Sequence, residues 1–238
     1  MRAGVMNLGA LSILNLAKEG GGEEERSGEN APALVRRWNP EDFAREQVQG
    51  LVRRVFFGGE ARVLRQVMLC AVDLETDVGG ICYQVGETLA RETTASVAIV
   101  GTVSHEFANP EEDRPEIPSA QLKPLQRIST RVRKNLWLVP SCGIAEGDSI
   151  SGRDSYLEEV RREFEYSIVQ GPCGGPSHTT NPVSATSAGL ILVLSAQRTR
   201  REAARRVKDL LEASGVVLLG TILSDRDFPM PEGIYRRL

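Results

Sequence analysis

The chain has 238 residues, 41% hydrophobic and 26% charged, which is enough for one sizeable core and is the balance of a soluble globular domain. A formal net charge of −3 provides no global attraction to nucleic acid or to an anionic membrane, and no apolar run is long enough to span a bilayer. Met6 to Ala17 is only mildly apolar, is interrupted by Asn7 and Asn15, and shows no cleavage site, so a cytoplasmic protein is expected. Cys70, Cys82, Cys142 and Cys173 lie far apart without C-x-x-C pairing, and His105 and His178 are the only histidines. Neither a metal centre, a disulfide framework nor a His-based nucleophile is suggested.

In chain order, 1–37 reads as a flexible N-terminal segment, because Glu19 to Pro32 is rich in Gly, Glu and Ser and has almost no apolar residue to offset its ordering entropy. Trp38 to Phe57 carries Phe43, Val48, Leu51, Val55 and Phe56 at helical spacing, interrupted by Gly50. Val67 to Val72 is a short apolar run suited to a strand covered on both faces. Gly80 to Glu92 is a helix with Ile81, Val85, Thr88 and Leu89 on one side, and Ser96 to Thr102 is the next strand. Ser104 to Gln126, rich in Pro and acids, reads as an excursion, Leu136 to Val139 as a strand, and Asp148 to Arg153 as a connection.

Leu157, Val160 and Phe164 mark a helix, and Tyr166 to Val169 a strand ending at Gly171-Pro172. A Gly, Pro, Ser and Thr-rich loop then runs to about Thr186. Leu190 to Leu194 is a uniformly apolar strand. Thr199 and Glu202 form a T-x-x-E capping box before a helix whose core face is Ala203, Val207, Leu210 and Leu211. Gly215 stands where a helix end favours a left-handed residue, and Val216 to Leu223 is the last strand. This alternation predicts a three-layer α/β domain over 38–238 with a mainly parallel sheet.

Two stretches are more specific. Glu163-Phe164-Glu165-Tyr166-Ser167-Ile168-Val169 resembles the E-F-D-Y-V-I-I that precedes the Walker B aspartate of the bacterial P-loop tyrosine kinases (BY-kinases) of exopolysaccharide and capsule systems, relatives of the MinD and ParA ATPases. Gly189 to Arg201 resembles that family's D-G-V-L-L-V-V-R-A-x-x-T-R-R. The resemblance covers about Trp38 to Leu238 and implies a P-loop NTPase-like fold.

It also implies where nucleotide chemistry would sit. The family's S-A-x-P-G-E-G-K-S-T loop, whose backbone N–H groups, Lys and Ser/Thr hold phosphate and magnesium, falls on Ala71 to Gly80. Its glycines land on Glu75 and Asp77, its Lys on Val78 and its Ser-Thr pair on Gly79 and Gly80. The two aspartates of its D-x-D strand end land on Gly101 and Val103, its Walker B aspartate on Gln170, and an Asn after the last strand on Ser224. Asp73, Glu75 and Asp77 instead put three carboxylates where a triphosphate would lie. Two readings of these acids stand open: a turn in which Asp77 caps its own helix, or a site for a divalent metal or a partner's Arg. No catalytic residue, bound cofactor or resident metal is expected.

The resemblance implies three functions of different classes. One is a non-catalytic, pseudokinase-like interaction protein that docks to a membrane polysaccharide chain-length regulator or to a related active kinase, recruited by it to the inner membrane. Another is a divergent ATP-dependent tyrosine kinase. The third is a MinD- or ParA-like positioning factor, for which Arg200, Arg201, Arg205, Arg206 and Lys208 would supply a basic face; a solvated helix face is the plainer reading of these residues, and no nucleic-acid partner is expected. The family's homo-oligomer helix pattern E-x-x-R-x-x-R falls on Glu46, Gln49 and Val52, and its tail tyrosine cluster is reduced to Tyr235.

Overall fold

The computed structural model describes residues 10–14, 40–58, 64–101, 122–141, 150–171 and 189–226. Val103, the linker 19–32, most of the 104–126 excursion, the loop to Thr186, Tyr235, both histidines, Cys142 and Cys173 lie outside them. The described elements are β1 (Ala10–Leu14), α1 (Pro40–Val52) continued by a π-helical turn (Arg53–Phe57), β2 (Gln66–Ala71), α2 (Val78–Glu92), β3 (Val97–Val100), α3 (Pro124–Ile128), β4 (Thr130–Arg133), β5 (Leu136–Val139), α4 (Ile150–Glu163), β6 (Tyr166–Gln170), β7 (Leu190–Ser195), α5 (Arg201–Ala213) and β8 (Leu218–Arg226).

The strands form one eight-stranded sheet in the order β1-β8-β7-β2-β6-β3-β5-β4. Every pairing from β8 through β5 is parallel, and an antiparallel strand closes each edge. The six strands expected from the sequence are the six parallel ones. Strands β2, β3 and β5 are buried along their whole length, as helices on both faces require, whereas β8, next to the sheet edge, is mostly half-buried. Alternate residues of each strand serve two cores. Val67, Leu69, Ile99, Ile168 and Val193 pack with α1 and α2, while Met68, Val100, Val169 and Leu192 pack with α3, α4 and α5.

Several expectations are corrected. Ala10–Leu14, within the segment read as flexible, pairs antiparallel with β8. β4 escaped notice because Thr130-Arg131-Val132-Arg133 has too few apolar residues to read as a strand; as an edge strand it is nowhere fully buried, and the Arg131 guanidinium lies over the Trp137 ring at 5.3 Å. Helix α3 begins at the end of the stretch read as an excursion. Helix α4 begins at Ile150, so Ile150 to Arg153 is helical rather than a connection: Gly152 costs only about 1 kcal/mol in a helix. Leu210 is 47% exposed, because α5 packs along the narrow strip Ala203, Val207 and Leu211 and leaves Leu210 on its shoulder.

Buried polar groups fix the layers. The Gln66 amide donates to Leu157 O at 3.2 Å and accepts from Arg161, tying α4 to the start of β2. The buried Glu163 carboxylate accepts the Leu125 N–H of α3. The Asn135 amide donates to the carbonyls of Ala90, Thr93 and Ala95, which joins the β4–β5 turn to the end of α2.

Helix α2 lies close on β3 because Gly86 has no side chain: a Cβ there would fall 2.5 and 2.6 Å from Ile99 Cδ1 and Cγ1. Gly86→Ala, favoured by helix propensity by about 1 kcal/mol, is therefore expected to lower the urea midpoint, overpacking costing about 1–3 kcal/mol. A raised midpoint would show that the two layers can part freely.

Candidate functional site at the carboxyl edge of the sheet

In an open α/β sheet, ligands bind beyond the carboxyl ends of the strands where the strand order reverses. Here that place is the end of β2, since the chain runs from β2 outward through β3 on one side and returns to β7 on the other. The expected site positions converge there: the β2–α2 turn with Glu75 and Asp77, the first turn of α2 with Val78, Gly79 and Gly80, Gly101 after β3, and Gln170 at the end of β6. Ser224 lies near the end of β8.

The turn is held from within. Asp77 is the N-cap of α2, and its Oδ1 accepts the Gly80 N–H at 2.8 Å, which settles one of the helix's free donors and places a carboxylate at its positive end. This is the self-capped arrangement, one of the two left open by the sequence. Asp73 accepts the hydroxyl of Thr199, and the same oxygen of Thr199 accepts the Ser195 N–H at 2.8 Å. Glu75 pairs with Arg198 at 3.0 Å; both side chains are exposed, and the pair contributes little. The second carboxylate reading required a metal or a partner's Arg, whereas the arginine here belongs to the chain itself.

These contacts also correct the expected capping box. Helix α5 begins one residue later than read, with Arg200 at the N-cap and no side-chain cap bond. Thr199 stands outside the helix, where its hydroxyl meets the Asp73 carboxylate in a charge-assisted bond, stronger than a neutral cap. The two loops are thereby joined across 126 residues, a contact no local pattern could signal.

The remaining positions are occupied by the protein's own atoms. Val78, at the place of the family's lysine, is 1% exposed and packs in the α1–α2 core. The Gln170 amide lies between the first turn of α2 and the end of β3. A Cβ on Gly79 would be 3.6 Å from Gln170 Nε2, and one on Gly101 would be 2.5 Å from Gln170 Oε1. Gly101 is thus required by the Gln170 side chain. The Oε1 atom is itself buried and has no hydrogen-bond partner among the described residues, as is the case for Thr76 Oγ1 and Ser195 Oγ. Ser224 Oγ donates to Leu194 O at 3.3 Å, and the exposed Leu74, 70% accessible, crowns the turn.

Of the positions matching the family's oligomer helix, Val52 is fully buried and Gln49 donates to Glu92 on α2 at 2.7 Å, so both face inward; Glu46 is exposed. Among the described residues, no three His, Cys, Asp or Glu side chains gather as a metal site would need, and no helix is long and apolar enough to cross a membrane.

No protein-family profile matches the chain, and no curated protein is significantly similar in sequence. Solved structures are similar. The kinase domain of the Escherichia coli tyrosine kinase ETK superposes with a TM-score of 0.59 at 14% identity, covering 87% of this chain and 86% of that one. The chain has the fold of the bacterial tyrosine-kinase domains. The VpsO kinase domain agrees (TM-score 0.53, 14% identity, 79% of this chain and 98% of that one), as does the BceF tyrosine kinase domain (0.50, 15%, 76% and 77%).

The cap is directly testable. Asp77→Ala is expected to lose about 0.5–2 kcal/mol in urea unfolding, while Asp77→Ser, which keeps an acceptor, should lose less. An unchanged midpoint for Asp77→Ala would contradict the capping role.

Proposed function

We propose that this chain is a non-catalytic, pseudokinase-like interaction protein of an exopolysaccharide or capsular polysaccharide synthesis and export system, docking to a membrane chain-length regulator or to an active kinase of that system. The observation that carries the loss of catalysis is the placement of the Gln170 amide against Gly79 and Gly101, in the space a phosphate cradle and its magnesium carboxylate would need. The residues present do not fit magnesium-ATP. Gly80 N–H is already bonded to Asp77, Val78 brings no cation, and the adjoining acids would repel a triphosphate. The polysaccharide context and the choice of partner rest on the family resemblance and on the likeness in fold, which does not by itself carry function.

A ligand that binds only the native state must raise its melting temperature. Millimolar ATP with magnesium is therefore expected to leave the melting temperature unchanged, to give no heat in calorimetry and to yield no phosphotyrosine. A magnesium-dependent stabilisation would favour the divergent-kinase reading instead. Val78→Lys is expected to gain no ATP binding and to melt lower, because it places an ammonium in the α1–α2 core; tight magnesium-ATP binding by this variant would show that the rest of a phosphate site is intact.

A further inference from the structure

At the opposite end of the sheet lies a cavity of about 210 Å³ lined by Leu51, Arg54, Val55, Leu64, Ile191 and Leu219 and completed by Gly220 and Thr221. It sits under the end of α1, beside the first residues of β7 and β8, so it shares no residue with the carboxyl-edge site. Five of its lining side chains are aliphatic, and Arg54, Gly220 and Thr221 give the remainder of the wall a polar character. Leu51 and Ile191 are buried, and Val55, Leu64 and Leu219 pack partly against the same core.

Among the described lining residues, Arg54 is the charged one. Arg54 is exposed and has neither an ion pair nor a side-chain hydrogen bond with any described residue, whereas its neighbour Arg53 pairs with Glu92 at 3.3 Å. Both arginines belong to the π-helical turn that continues α1, an irregularity found mostly as single turns and frequently at functional sites. A guanidinium is suited to a planar or tetrahedral anion through paired N–H donors. The volume is too small for a drug-sized ligand but exceeds the roughly 150 Å³ of an apolar cavity that accepts benzene.

We infer that this cavity binds a small amphiphile, a short aliphatic body carrying one anionic head, with the chain in the Leu51, Val55, Leu64, Ile191 and Leu219 pocket and the head on Arg54. The head chemistry shared by a carboxylate and a phosphate monoester is what Arg54 recognises.

Calorimetric titration of the full chain with octanoate and with octyl phosphate, beside acetate and 1-octanol, tests this. At least one of the two amphiphiles should bind saturably at one site per chain, tenfold or more tighter than acetate, which lacks the tail, and 1-octanol, which lacks the charge; the tighter of the two identifies the head. Arg54→Gln should weaken the amphiphile at least tenfold and leave 1-octanol unchanged. Val55→Trp, which fills the mouth, should remove binding, with circular dichroism confirming that it folds. The inference is overturned by absence of saturable binding in the parent chain, by equal affinity for 1-octanol, or by retained affinity in folded Arg54→Gln. Since the carboxyl-edge residues are untouched, magnesium-ATP binding is an independent result.

Discussion

The first turn of α2 has one set of free backbone donors, and the Asp77 carboxylate takes a place among them. A helix N-terminus can offer its N–H groups to a bound anion or to a side chain of its own, and the second choice stabilises the fold while it weakens the first. The neighbouring contacts work in the same direction. Asp73 holds Thr199, so the turn after β2 and the turn after β7 are one unit, and Val78 enters the core beneath them. Gln170 fills the gap toward β3 and leaves room for nothing larger than hydrogen at Gly101. The turn is thus shaped by bonds within the chain.

Retention of the fold alongside such a turn follows from where each depends on sequence. The sheet needs apolar residues on both faces of its six parallel strands, a demand met by many different residues, and structures with only 14 to 15% identity meet it with the same architecture. A phosphate site depends on a few residues with particular backbone and charge properties. In the reading proposed here, changes at those few positions removed the nucleotide chemistry and left the core.

The parallel strands, α2, α5 and the left-handed Gly215, which has φ of 71°, were legible because burial on both faces writes itself as unbroken apolar runs and helix ends carry local signals. The edge strands were not: Thr130–Arg133 buries too little to force an apolar pattern, and the apolar Ala-Leu-Ser-Ile-Leu of β1 is set apart from the domain by the Gly- and Glu-rich stretch 19–32. The Asp77 cap was legible because its donor lies three residues away. Thr199 was misread for the converse reason: its T-x-x-E spacing satisfied a local rule, while a carboxylate distant in sequence offered a stronger bond. The role of Gln170 as a filler between α2 and β3 needed the sheet order β2-β6-β3, which the strand sequence alone does not state.

The β2–α2 turn is fixed by partners within the chain, and the Asp73–Thr199 bond is the longest-range of these contacts. A double-mutant cycle in urea unfolding, with Asp73→Ala, Thr199→Val and the pair, isolates that bond from the separate losses of each side chain. The expected result is a favourable coupling of about 1.5–3 kcal/mol, the range for a hydrogen bond to a charged group. Additive effects, with no coupling, would contradict it.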